Sequence, residues 1–273
     1  MMDYKFLQEG YGLKEGARES FSDITARKRQ LAWWINREEE LNKWKEIIRK
    51  SVDLPKNYFV FIIGTYGRGK TLSLFKVIEE SESHKKIYPI YLNFKGEEKS
   101  KPGLDFIFRI FKVIDFDNLV KGKTAEDVNI AIKNIPEGFE EAKTILKKIY
   151  FGVSGITLES FVSTDSKMIK SKEKANISKL ALFFLRGQIR PTSSQLTQLG
   201  VIRRIEDIDV AKEYLAAVLC FIKNLGYKTL LLAIDEFESL FSLVPPSQHS
   251  IYTALLRGLY DFPTEIAVKS ENV

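Results

Sequence analysis

Eight consecutive residues, Gly64-Thr65-Tyr66-Gly67-Arg68-Gly69-Lys70-Thr71, carry the spacing G-x-x-x-x-G-K-[ST]. That spacing suits polyphosphate chemistry. Gly64, Gly67 and Gly69 lack a Cβ, so the backbone can curl tightly and approach an anion. The curl turns several N–H groups inward as an anion nest, and a following helix presents its positive N-terminus to the same charge. Lys70 is the residue to reach the β- and γ-phosphates, and the Thr71 hydroxyl is a ligand for Mg²⁺ bridging them. The nucleotide-contacting set therefore runs from Gly64 through Thr65, Tyr66, Gly67, Arg68, Gly69, Lys70 and Thr71 to Leu72.

A second chemical pair lies 171 positions after Gly64, where the apolar run Thr229–Ile234 (TLLLAI) ends in Asp235-Glu236. An acid at the tip of a parallel strand can hold Mg²⁺ through water, which is the role for Asp235. Glu236 is then placed to orient and deprotonate an attacking water. Both acids together predict hydrolysis of ATP to ADP rather than binding alone. Other chemistries lack residues. The only histidines are His84 and His249, and the only cysteine is Cys220. They cannot assemble a zinc site of Cys and His. The histidines read as surface residues, and Cys220, between Leu219 and Phe221, reads as core.

The elements around these residues are legible from periodicity. Tyr58–Ile63 (YFVFII), just before the glycine-rich loop, reads as a buried strand. Leu72, Leu74, Phe75 and Ile78 continue as a helix. Ile87–Phe94 (IYPIYLNF) reads as a second strand, with Pro89 marking an edge or a bulge. Upstream, Trp34, Leu41, Trp44, Ile47 and Ile48 fall near helical spacing from Leu31 onward, with Asn36 and Glu39 at capping-box spacing. Residues 100–205 read as mostly helical. A helix over Val210–Asn224 precedes the Thr229–Ile234 strand, and a last helix covers Ser250–Tyr260. Alternating strands and helices predict an α/β P-loop NTPase fold, a parallel sheet flanked by helices. Residues 1–30 form an N-terminal arm, 31–99 and 206–273 the ATPase core, and 100–205 a mostly helical insertion.

Composition closes off other classes. Of 273 residues, 44% are hydrophobic and 29% charged, too apolar for a disordered chain. No apolar run reaches the roughly 18 residues of a membrane span, and no signal peptide opens the chain. The expectation is a cytoplasmic globular protein with no membrane partner. The net charge of +6 is unevenly spread. Between Asp165 and Arg190, seven basic residues (167, 170, 172, 174, 179, 186, 190) face two acids. Such a stretch reads either as a solvated helix face or as a surface for phosphate backbones.

Together these residues resemble the AAA+ branch of P-loop ATPases that carry an additional catalytic glutamate. Asn36-Arg37-Glu38-Glu39-Glu40-Leu41 looks like the N-terminal "REEEL" element of origin-recognition-like initiators and STAND signalling ATPases. The resemblance makes Asn36 and Arg37 candidate contacts to the adenine side. Asn93, ending the strand after the P-loop helix, corresponds to a polar residue that can hold the catalytic glutamate off the water, and would pair with Glu236. The progression Leu185-Arg-Gly187, Leu199-Gly-Val201, Ile208, Gly226-Tyr227 and Ile234-Asp-Glu-Phe-Glu238 looks like BREX-type ATP-binding P-loop proteins, phage-defence relatives of the origin-recognition ATPases.

Two departures qualify that likeness. The long separation of loop and acids requires the insertion over 100–205, a partner-binding or nucleic-acid-binding surface. The families also continue past the position of Tyr260 with a sensor strand, an arginine finger and a helical lid. Here Glu265–Val268 is the one candidate start for that strand, with Arg68 and Arg257 the candidate phosphate or trans contacts. This reads as a truncated or degenerate member with low turnover. The resemblance implies a Mg-ATP-dependent ATPase acting on duplex DNA or a DNA-bound protein, with a homo-oligomer as a further partner. The rivals are a STAND-type switch, in which nucleotide controls oligomerisation with little turnover, and a non-catalytic nucleotide-binding scaffold.

Overall fold

A computed structural model describes residues 37–54, 57–63, 69–94, 101–150, 171–238 and 245–271. The chain divides into two compact units, residues 1–85 and 86–273. In the first unit, α1 (Glu38–Asp53) opens with Glu38, Glu39 and Glu40 and carries Lys50 in its last turn. Both ends thus oppose the helix dipole. Its N-cap position is Arg37, not Asn36, and no side chain caps it. The capping box expected of Asn36 and Glu39 is therefore replaced by charge in the first turn.

Helix α2 (Lys70–Glu82) starts where the glycine-rich sequence ends. Gly69 takes the left-handed conformation, φ 77°, just before it. Phe75, Val77 and Ile78 on α2 and Ile48 on α1 are buried. Tyr58–Ile63 departs from expectation. Among the described residues it pairs with no strand, and Phe61 and Ile63 are 71% and 92% exposed. Apolar, β-prone residues need a ladder partner to become a buried strand. The described part of residues 1–85 contains no strand.

The second unit is built on two parallel strands, β1 (Ile87–Asn93) and β2 (Thr229–Asp235). Their register runs from Ile87 opposite Thr229 to Asn93 opposite Asp235. Strand β1 has a neighbour on one side only among the described residues, which accommodates Pro89 without a lost ladder bond. Between the strands lie α3 (Pro102–Val113), α4 (Phe116–Leu119), α5 (Ala125–Lys133), α6 (Glu140–Tyr150), α7 (Ser171–Leu185), α8 (Ser193–Leu199) and α9 (Ile208–Asn224). Helix α10 (His249–Glu271) follows β2 after a short 3₁₀ turn. It runs through residues 265–268, so the strand expected to begin there is helix instead.

This unit is mostly helical with a small parallel sheet, a narrower sheet than the sequence predicts. Its core joins β1, α3, α6, α7 and α9. Phe94 stacks on Phe106 with centroids 5.5 Å apart, and Phe106 meets Tyr252 edge-on at 6.3 Å. Cys220 is buried among these side chains as expected, and burial pushes its thiol up to about 11. Helix starts are fixed by side chains. Thr124 with Asp127 and Thr192 with Gln195 form capping boxes, and Asp207 accepts two N–H groups of α9. No described helix is long and apolar enough to cross a membrane.

Candidate functional site

In the first unit the described residues of the glycine-rich motif are Gly69, Lys70, Thr71 and Leu72, at the mouth of α2. Gly64, Thr65, Tyr66, Gly67 and Arg68 lie outside the described residues, as does Asn36. Arg37 is placed against this mouth. A Cβ built on Gly69 would lie 3.0 Å from Arg37 Nη1, so glycine serves both the left-handed backbone and the close approach.

Arg37 is held by Glu40, Nη2 to Oε2 at 2.7 Å. The other oxygen of Glu40 accepts from Ser73 Oγ at 2.7 Å and from Trp44 Nε1 at 3.4 Å. Ser73 is fully buried one turn into α2. Glu40 therefore ties the acidic run of α1 to α2 and sets the position of Arg37. Sequence reasoning took Asn36 and Arg37 from that run and passed over Glu40. The signal was available, because Arg37, Glu40 and Trp44 share one helical face at i, i+3 and i+7.

In the second unit, Asp235 sits at the C-terminal tip of β2 and is 6% exposed. A buried carboxylate requires donors. Oδ1 accepts the backbone N–H of Glu236 at 3.0 Å, and Oδ2 accepts the Tyr91 hydroxyl at 2.8 Å. Asn93, at the tip of β1 opposite Asp235, donates from Nδ2 to the same hydroxyl at 3.4 Å. Burial raises the Tyr91 hydroxyl well above the ordinary tyrosine range, and its bond to Asp235 adds to the shift, so it stays a donor. Arg109 on α3 donates to the Asn93 carbonyl at 3.0 Å, with its guanidinium 4.8 Å over the Phe94 ring.

Glu236 is the one described non-glycine residue at positive φ, 56°. The left-handed region costs an ordinary side chain about 1–2 kcal/mol. Such strain concentrates where a side chain must be aimed. Here the strained residue is the second acid of the pair. Tyr91 was missed from sequence, although the period-2 rule sets it on the same strand face as Asn93. Arg257, a candidate trans contact, has a side chain 84% exposed beside Asp261.

No group of three or more His, Cys, Asp or Glu side chains comes together among the described residues. A divalent cation here would rest on Asp235 with phosphate and water oxygens completing the shell. That donor set suits Mg²⁺, which keeps several waters and takes one or two carboxylates.

By class this is a mostly helical protein with a short parallel sheet and an acid pair at a strand tip, an arrangement consistent with an ATP-binding domain. Residues 129–265, half of the chain, match the family model of the BREX system ATP-binding protein BrxC/D, and the chain belongs to that family. The match takes in β2, Asp235 and Glu236 and begins after the glycine-rich motif. No curated protein and no solved structure matches the chain. Membership in an ATP-binding family supports a nucleotide as ligand.

Proposed function

We propose that the chain is a P-loop ATPase of AAA+ type, binding Mg-ATP and hydrolysing it to act on duplex DNA or a DNA-bound protein. The observation that carries this reading is the pair at the end of β2, a buried Asp235 fixed by two donors and followed by a strained Glu236. The complete G-x-x-x-x-G-K-[ST] motif supports it, with Lys70 and Thr71 opening α2.

Each residue then has one task. The backbone of Gly64–Thr71 binds the phosphates, and Lys70 compensates their charge. Thr71 in the first unit and Asp235 in the second are each candidates to hold Mg²⁺, which would neutralise phosphate charge when bound. Glu236 takes the proton of the attacking water. Asn93 modulates Glu236, and Arg37 contacts the nucleotide from α1. Residues 31–99 and 206–273 form the ATPase core, and 100–205 the partner-binding insertion.

The test is steady-state ATP hydrolysis with Mg²⁺, with and without duplex DNA, in the parent and in Glu236→Gln. Turnover raised by DNA and lost in Glu236→Gln is the expected result. Glu236→Gln hydrolysing at the parental rate removes the general-base role. Tight ATP binding without turnover in either condition assigns the chain to a nucleotide switch instead. Unchanged ATP affinity in Lys70→Ala would sink the phosphate-loop assignment.

A further inference from the structure

A cavity of about 380 Å³ opens in the second unit, and neither Asn93 nor Asp235 lines it. Leu104 and Phe108 of α3 line it together with Phe184 at the end of α7 and Ile205 before α9. Leu104, Phe184 and Ile205 are buried behind it, and the half-buried Phe108 ring offers its main apolar wall. Gly187 keeps that wall in place. It turns the chain at φ 64°, and a Cβ there would lie 2.6 Å from the Phe108 ring. The ring is thus seated directly on the backbone.

Lys101, Arg190 and Arg204 line the same cavity, against one acid, Glu206. Their partners differ in charge. Arg190 Nε bonds the Glu206 carboxylate at 2.9 Å, so that pair is neutral. Lys101 Nζ donates to the Glu206 backbone carbonyl at 3.0 Å, and Arg204 Nε to the Pro191 carbonyl at 2.9 Å. Those two bonds fix the side chains without cancelling their charge. Two positioned cations beside an aromatic wall are complementary to an anion that carries a flat ring. The volume falls within the roughly 300–1,000 Å³ of small-molecule sites, and a duplex backbone would need an open surface.

We propose that this cavity, lined by described residues of the second unit, is a binding site for a small aromatic anion, a planar ring bearing a phosphate or carboxylate. Its ring lies on Phe108 and Leu104, and its anion meets Arg204 and Lys101. Arg190 belonged to the basic stretch noted in the sequence. Arg186 of that stretch instead donates to the carbonyls of Phe111 and Ile114, closing the end of α3.

The probes are phenyl phosphate and AMP, titrated calorimetrically into the full chain carrying Lys70→Ala, which removes the loop's own phosphate partner. Both are expected to bind. Arg204→Gln and Lys101→Gln are each expected to weaken binding about tenfold or more, since each removes a charged hydrogen bond. Lys101 is exposed, so its variant is the one least able to disturb folding; a melt of each variant checks the rest. Adenosine and inorganic phosphate, each carrying half of the recognition, are expected to bind more weakly than AMP. The proposal is overturned if neither probe binds at millimolar concentration, or if binding is unchanged in both variants. Duplex DNA binding that depends on Arg204 and Lys101, without phenyl phosphate binding, would equally overturn it.

Discussion

Replacing Tyr91 with phenylalanine removes one oxygen atom and leaves the ring. That oxygen is the donor to Asp235 Oδ2 at 2.8 Å. Asp235 is 6% exposed, so water does not readily replace the lost donor. A hydrogen bond to a carboxylate of this kind contributes about 1.5–3 kcal/mol. In a folding unit of 150–250 residues, 1 kcal/mol corresponds to about 2–4 °C in Tm, so Tyr91→Phe is expected to lower Tm by about 3–12 °C. Circular dichroism melts of the parent, Tyr91→Phe, Asp235→Asn and the double variant close a thermodynamic cycle. The expected coupling between the two residues exceeds about 0.5 kcal/mol, the usual limit of additivity for independent sites. A Tm within 1 °C of the parent, or additive single effects, would refute the claim that Tyr91 holds the carboxylate. If Asp235 also serves Mg²⁺, Tyr91→Phe raises the Mg²⁺ concentration needed for half-maximal turnover while metal-free ATP binding stays unchanged.

Glu40→Ala removes the ion pair to Arg37 and the acceptor of the buried Ser73 hydroxyl, and is expected to cost about 1–3 kcal/mol in a denaturant titration. Glu40→Gln, which keeps an acceptor for Ser73, is expected to recover part of that loss. Gly103→Val puts a side chain where even a Cβ would collide with Ile208 Cδ1 and lie 2.7 Å from Ile251 Cγ2. Overpacking of this kind is expected to cost about 1–3 kcal/mol by thermal melt, and a neutral result would show that α3 shifts freely. Cys220, its thiol pushed up to about 11, is expected to resist a thiol reagent at pH 8 until the protein unfolds. The sign of the linked pH effect follows. The unfolded chain releases that proton first, at about 8.5, so stability holds below that pH and falls as pH rises toward 11.

Local spacing made much of the second unit legible. Ile87–Phe94 and Thr229–Ile234 are runs of apolar, mostly β-prone residues ended by polar ones, and they became β1 and β2 within a residue at either end. The amphipathic stretch from Phe106 to Ile114 gave most of α3, and Asp207 marks the start of α9 three positions before the expected Val210. Tyr58–Ile63 shows the limit. Its composition is that of a strand, but pairing is a property of two segments, and composition names only one. Glu265–Val268 shows the same limit from the other side, a short apolar stretch that helix α10 absorbs. For short runs, periodicity cannot separate strand from helix.

The acid pair was easier to find in the sequence than the residues that fix it. Asp235-Glu236 is visible because both acids directly follow the apolar run Thr229–Ile234. The residues that fix them come from elsewhere in the chain. Tyr91 is 144 positions from Asp235 and becomes its donor only through the parallel register that sets Asn93 opposite Asp235. The strain at Glu236 has a local origin. Asp235 Oδ1 accepts the N–H of Glu236, so the backbone turns immediately after the strand, and the following residue takes φ 56°. An asparagine or glycine would tolerate that conformation at less cost. A glutamate held there at that cost is what the proposed general-base role calls for.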